Sequence, residues 1–333
     1  MATYKGIKGV KVQSKASDPT ASEADGTVWY NTTSSALKYA IQGGGAWASG
    51  GSMTRVGSTD VRMSGTQTAT LMAGGYAPAP TLVEVWTEKY DGSTWTEVAD
   101  LNQARYNGFM AGTQTASVFA GGVGPGGVNQ ALSETWDGTS WTEGNNMPTA
   151  RAGGGQAGTQ SSMIAIGGHG PVNGACFIYD GSCWTTSPAS LGTARHQGGG
   201  GGASSTSAIY AGGTPGYQAV SETWNGSVWT EGNNLNVARY SMTGFGIVTE
   251  ALVCAGYKAS GSPRDANETE TYDGTSWSTG NVMGTARYGL GGAGGPGGIS
   301  SGIIGGGNGD SGLSKLVEEW NDPAYVIKTV TVS

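Results

Sequence analysis

The chain has 333 residues, 62 of them Gly, and a formal net charge of −7. That Gly share is more than twice the usual value of about 7% but has no Gly-X-Y register, which excludes a collagen rod. The acidic balance argues against a nucleic-acid surface, which needs clustered Lys and Arg, and no apolar run approaches the roughly 18 residues of a membrane-spanning helix.

The first stretch is basic, with Lys5, Lys8, Lys11 and Lys15 supplying four of the nine lysines. It reads as a solvated arm or as a docking arm for an acidic partner. It has no apolar core of the signal-peptide kind. Residues 18–26 are polar and turn-rich. A hairpin follows, with strands at 27–31 and 36–40, and a lone hairpin needs a surface to pack on. Within it stand Gly26, Thr27, Trp29, Tyr30, Asn31 and Thr32, then Leu37-Lys38-Tyr39. This pattern, Gly-Thr-x-Trp-Tyr-Asn-Thr and then Leu-Lys-Tyr, resembles a segment common near the N-terminus of bacteriophage tail-fibre and other virion proteins. The resemblance covers about 14 residues. It implies that residues 1–44 attach the chain to a particle, with Lys5, Lys8, Lys11, Trp29, Tyr30 and Tyr39 as the attachment candidates.

From Trp47 onward one pattern recurs: an aromatic, Asp-Gly, a Trp, a polar loop and an Arg. The copies are Tyr90-Asp91-Gly92 with Trp95 and Arg105, Trp136-Asp137-Gly138 with Trp141 and Arg151, and Tyr179-Asp180-Gly181 with Trp184 and Arg195. Then come Trp224-Asn225-Gly226 with Trp229 and Arg239, and Tyr272-Asp273-Gly274 with Trp277 and Arg287, after a degenerate first copy with Trp47 and Arg55. Successive tryptophans from Trp47 to Trp277 are 48, 46, 43, 45 and 48 residues apart. A period near 45 marks a repeat fold.

Each unit divides into four short strands. In the unit after Arg105 these are 106–111, 116–120, 131–136 and a strand starting at Ser140. Asp137-Gly138 is expected to form a tight turn, because both central positions can adopt positive φ. An apolar strand ending in Gly-Gly recurs at Gly74-Gly75, Gly121-Gly122, Gly167-Gly168, Gly212-Gly213 and Gly305-Gly306, weakening to Ala255-Gly256.

Double Gly, Glu-x-Tyr-Asp, a Trp about five residues on and then an Arg resembles the kelch repeat over roughly residues 45–322. The chain departs from it in using Asp-Gly where kelch repeats often have Asp-Pro. The resemblance implies an all-β, six-bladed β-propeller. Six Arg positions (Arg55, Arg105, Arg151, Arg195, Arg239, Arg287) open six units, and the orphan strand 46–48 would complete the last blade. Seven blades follow instead if residues 27–50 and 313–332 share an extra sheet. Residues 323–333 alternate with β-branched side chains and are expected to return to the N-terminal hairpin.

Little in the chain points to catalysis. The first strands of the units are nearly bare glycine, so an axial channel is walled mostly by backbone. The chain has two histidines, His169 and His196, each alone on a loop, and no His-rich metal site of the kind that kelch-type copper oxidases need. Gly-rich stretches lack the Gly-Lys-Ser/Thr of a phosphate loop. The repeated arginines read as structural, paired with Glu134, Glu222 or Glu270 or with carbonyls, and the repeated Trp as core. Cys176, Cys183 and Cys254 read as buried thiols of a chain made in a reducing cytoplasm.

Function is therefore expected on the variable loops after each Gly-Gly, at 76–81, 123–129, 170–174, 214–218, 257–267 and 308–311. Tyr217, Tyr257, Lys258 and Arg264 are the receptor-binding candidates. The reading is a non-enzymatic bacteriophage virion protein, a tail-fibre or capsid-surface component with no cofactor and no metal. Its expected partners are other virion proteins and a host-surface glycan or receptor, with many copies on a symmetric particle and neither nucleic acid nor membrane insertion. The alternative is a glycan-active enzyme of sialidase or depolymerase type, which requires a pair of carboxylates that breaks the repeat.

Overall fold

The computed structural model describes residues 12–19, 27–41, 44–55, 57–77, 79–80, 82–170, 174–259, 264–295, 297–322 and 326–330. The chain forms two compact units, Ala46–Asn321 and a smaller one from Met1–Gly45 with Asp322–Ser333. Among the described residues all regular structure is strand, apart from one turn of 3-10 helix at Pro125–Gly127.

The large unit contains six four-stranded antiparallel sheets, an arrangement compatible with propeller blades. The sheet after Arg105 is typical, with strands Phe109–Gly112, Ser117–Ala120, Ser133–Trp136 and Trp141–Glu143 hydrogen-bonded in that order. Five sheets are built from successive segments. The sixth takes Gly291–Gly294, Ser301–Gly305 and Val317–Asn321 and borrows its fourth strand, Ala46–Ser49, from the start of the unit. Trp47 pairs with Trp320 in that register, and its indole donates to Thr269 Oγ1 of the fifth sheet at 2.8 Å. Residues 27–50 and 313–332 thus do not share a seventh sheet of this unit.

The sheets close on themselves. The first strands touch in a complete cycle: Arg62–Thr66 against Phe109–Gly112, then Gly155–Thr159, Gly199–Ser204, Thr243–Ile247, Gly291–Gly294 and back to Arg62–Thr66. A ring of backbone hydrogen bonds runs just ahead of these strands. Asn107 N–H donates to Asp60 C=O (2.8 Å), Gly153 to Asn107 (2.7 Å), Gln197 to Gly153 (2.5 Å), Ser241 to Gln197 (2.7 Å), Gly289 to Ser241 (2.8 Å) and Asp60 to Gly289 (2.6 Å). All six residues have positive φ, between 52° and 70°. The left-handed conformation turns each amide toward the neighbouring sheet, and Gly, Asn and Asp reach it at least cost.

Each sheet is held to the loop entering it by the repeated arginine. Arg105 Nη2 lies 2.6 Å from Glu134 Oε1, Arg239 Nη2 3.0 Å from Glu270 Oε1 and Arg287 Nη2 2.7 Å from Glu318 Oε1; Arg195 pairs with Glu222 in the same way. These side chains are almost fully buried. The guanidinium also donates to carbonyls, Leu132 for Arg105 at 2.7 Å and Leu316 for Arg287 at 2.8 Å. The second carboxylate oxygen takes backbone N–H groups of the entering loop, from Asn102 to Glu134 (2.8 Å) and from Asn236 to Glu270 (2.6 Å). The arginine's own carbonyl accepts from the preceding sheet's Gly-Gly, as Gly75 N–H to Arg105 (3.0 Å) and Gly122 N–H to Arg151 (2.9 Å). One residue therefore ties two sheets. Two copies differ. Phe177 holds the Glu position of the third sheet, and the Arg151 guanidinium lies 4.7 Å from its ring centre. Arg55 is partly exposed, pairs with Glu97 and stacks on Trp86.

Between sheets the core is aromatic. In the first five sheets the last residue of the third strand meets the Trp that opens the fourth, as Tyr90–Trp95, Trp136–Trp141, Tyr179–Trp184, Trp224–Trp229 and Tyr272–Trp277, with ring centres 4.9–5.4 Å apart. Such pairs contribute about 0.5–1.5 kcal/mol beyond area burial. The Asp-Gly step between them is not a two-residue turn. Tyr90 pairs with Trp95 across a four-residue loop, and only the Gly has positive φ. The Asp91 carboxylate instead caps the loop, accepting the N–H groups of Ser93 (2.9 Å) and Thr94 (2.8 Å), and Asp137, Asp180, Asn225 and Asp273 do the same. Of the three thiols, Cys176 and Cys254 are buried, but Cys183 is exposed in one of these loops.

In the small unit Gln13–Lys15 runs parallel to Val28–Asn31, which pairs with Ala36–Ile41, which pairs with Val326–Thr329. Asp18 accepts from Trp29 Nε1 (3.2 Å), Asn31 Nδ2 (2.7 Å) and Lys38 Nζ (2.7 Å).

Removing one member of a buried ion pair leaves the other charge unmatched, at a cost of about 3–5 kcal/mol. Glu134→Ala is expected to lose stability of that order in denaturant unfolding, whereas Arg55→Ala, at a partly exposed pair, is expected to lose about 1 kcal/mol or less. Trp47→Ala is expected to cost about 2–4 kcal/mol by unlatching the sixth sheet.

Candidate functional site: an aromatic rim at one end of the ring

Two positions per unit meet beside the backbone ring. The residue just before a ring member, which follows the repeat arginine in every unit but the first, forms a one-residue antiparallel bridge with the residue after a glycine pair: Tyr106 with Val123, Ala152 with His169, His196 with Thr214, Tyr288 with Asn308 (after Gly306-Gly307) and, in the first unit, Thr59 with Tyr76. In the fifth, Arg239–Tyr240 pairs with Tyr257–Lys258 as a short two-stranded ribbon. These side chains border the axis, because one residue of each pair directly precedes a member of the ring.

The rim is strongly asymmetric. Tyr76 and Tyr106 make one edge-to-face pair at 5.2 Å, and His169 and His196 another at 5.5 Å. The two histidines, read from the sequence as isolated, are thus neighbours. The largest cluster is four tyrosines from three sheets. Tyr217 lies 5.4 Å from Tyr240 and 6.5 Å from Tyr257; Tyr257 lies 5.7 Å from Tyr240 and 5.6 Å from Tyr288. All four are half-buried. Burial first, then neighbouring phenols, pushes the Tyr240 hydroxyl above its ordinary pKa, and burial does the same for Tyr288. Asn308 Nδ2 donates to the Tyr288 hydroxyl at 2.9 Å.

Of the receptor-binding candidates, Tyr217 and Tyr257 stand in this cluster. Arg264 is exposed beside it, its charge favoured by a hydrogen bond with the Tyr257 hydroxyl. Lys258 is tied to Glu268. Tyr240 and Tyr288 escape sequence reasoning because they directly follow structural arginines; their shared offset is the signal that finds them. Of the attachment candidates, Lys5, Lys8 and Lys11 lie outside the described residues. Trp29 is buried and bonded to Asp18, so it offers no docking surface, whereas Tyr30 is exposed and Tyr39 half-buried.

The axis itself is not bare backbone throughout. Arg62, on the first strand of the first sheet, donates from Nε to Gly108 C=O and from Nη2 to Asn107 Oδ1, each at 2.5 Å. With Gly154, Gly199 and Met242 it lines a cavity of about 20 Å³, room for about one water. The other end of the axis opens into a funnel of about 140 Å³ lined by Met63, Met110, Gln156, Phe245 and many glycines. Asp60 sits at the rim with its carboxyl pushed up to about 6 by burial, a shift that Arg62 opposes. Among the described residues no group of three or more His, Cys, Asp or Glu is placed to hold a metal. No known protein-family model matches the chain, and no curated protein has significant sequence similarity to it.

Because the folded Asp60 carboxyl titrates above its ordinary 3.8, the folded state holds the proton more tightly than the unfolded one. Asp60 therefore costs stability as pH rises from about 4 to about 6, and the loss is complete above that window. Asn107 occupies the equivalent left-handed position of the next unit, so Asp60→Asn fits the backbone. The variant is expected to be more stable than wild type at pH 7.5, with the gap closing toward pH 4.5 in denaturant unfolding.

Proposed function

We propose that the protein is a six-bladed kelch-like propeller of a bacteriophage virion that binds a host-surface glycan through Tyr217, Tyr240, Tyr257 and Tyr288 and does not catalyse. The tyrosine cluster carries this reading. Aromatic faces are apolar with a negative field, and a phenol adds a polar tip, which together suit the C–H face and hydroxyls of a sugar ring. The cluster is displayed on a frame of six sheets and is preorganised by ring-to-ring packing, so binding costs little side-chain ordering. Stacked aromatics also suit nucleobases, but the net charge of −7 opposes a polyphosphate ligand. The virion assignment is supported by the Trp29-Tyr30-Asn31-Thr32 and Leu37-Lys38-Tyr39 segment, with the small unit as the attachment element and Tyr30 as its exposed aromatic.

A glycan array probed with the purified chain tests binding, and Tyr240→Ala or Tyr257→Ala is expected to weaken any hit by about tenfold or more, since buried aromatic anchors contribute about 2 kcal/mol or more. Retained binding in both variants contradicts this site. Mass spectrometry of purified particles tests the virion assignment: the chain is expected among the structural proteins, with residues 1–44 protected from protease there and cleaved in the free protein.

A further inference from the structure

Two cations border the tyrosine cluster, and of the two only Lys258 forms an ion pair among the described residues. Lys258 pairs with Glu268, both largely shielded from solvent. Arg264 is exposed and forms no ion pair among the described residues. Its backbone places it beside the cluster: Lys258 N–H donates to the Arg264 carbonyl at 3.0 Å, and the next residue, Asp265, bridges Tyr257. The phenols of Tyr257, Tyr217 and Tyr240 favour its charged form. The nearest acidic neighbour in sequence, Asp265, is buried, and burial together with Asp310 pushes its carboxyl above the ordinary range. The local surface thus presents a guanidinium fork beside the tyrosine cluster, on a chain of net charge −7.

We propose that the ligand of this cluster is an acidic glycan, whose sugar rings stack on Tyr217, Tyr240, Tyr257 and Tyr288 and whose carboxylate is taken by Arg264. This rests on the glycan-binding reading above and adds the substrate class. The guanidinium is planar and presents paired N–H donors at the spacing of a carboxylate, so it selects the acid by geometry as well as by charge. The net charge of −7 repels polyanions at long range, so recognition falls to this one short-range contact.

The test is calorimetric titration with two probes of equal length, a hyaluronan hexasaccharide carrying glucuronates and the neutral, fully N-acetylated chitohexaose. Wild type is expected to bind the acidic probe more tightly. Arg264→Gln is expected to lose about tenfold or more toward the acidic probe with no change toward the neutral one, and Arg264→Lys to recover part of the loss. Arg264 is exposed, so both variants are expected to unfold at the wild-type midpoint. Equal affinity of wild type for both probes, or unchanged acidic binding by Arg264→Gln, overturns the inference while leaving glycan binding intact. Failure of wild type to bind either probe or any member of a broad glycan panel overturns both.

Discussion

Six backbone hydrogen bonds joined head to tail, through Asp60, Asn107, Gly153, Gln197, Ser241 and Gly289, are the constraint on which the large unit depends. Each bond alone contributes only about 0.5–1.5 kcal/mol. Their value lies in closure, since no sheet can shift without breaking two of them. The left-handed backbone at all six positions is what makes the ring possible, and it costs the non-Gly members some strain. The same geometry fixes the rim. The residue before each ring member is always held beside the axis, whatever its side chain, so the fold provides six equivalent display positions and the sequence decides what each one carries.

The buried arginine–glutamate pairs carry the frame outward from the ring. Buried ion pairs are poor sources of net stability because desolvation offsets attraction, but they are demanding about partner and place. Here the carboxylate takes both a guanidinium and loop amides, and the guanidinium takes carbonyls, so each pair fixes where a loop enters its sheet. That role explains why the arginine recurs while its follower varies from Tyr106 through Ala152 and His196 to Tyr240 and Tyr288. The departures are local. Phe177 replaces the glutamate with an aromatic face, and in the first unit Arg55 stays near the surface and pairs with Glu97 instead.

Much of the frame was legible from the sequence, because it repeats. The spacing of the tryptophans, the Gly-Gly ends and the orphan Trp47 together define the four-strand division and the pairing of Ala46–Ser49 with the last sheet. The backbone ring was not legible, since Asp, Asn, Gly, Gln and Ser all serve at one position and no single residue type marks it. Asp-Gly misled because the usual turn signal ignores the Ser or Thr residues that follow, whose amides the Asp side chain caps. Half of the tyrosine cluster was legible as loop residues, Tyr217 and Tyr257. The other half was hidden in the entry strands, and His169 with His196 shows how the ring joins residues that the chain keeps apart. Asp60 and Arg62 went unread because the first unit matches the repeat least.

The central claim is that a closed, rigid ring presents one asymmetric aromatic site at its rim. A crystal structure of the full chain soaked with an oligosaccharide that binds in solution tests it most directly. The account predicts sugar rings against Tyr217, Tyr240, Tyr257 and Tyr288, with the six ring amides unmoved. Sugar bound instead in the glycine-lined funnel at the opposite end of the axis, or bound with the ring amides separated, would contradict it.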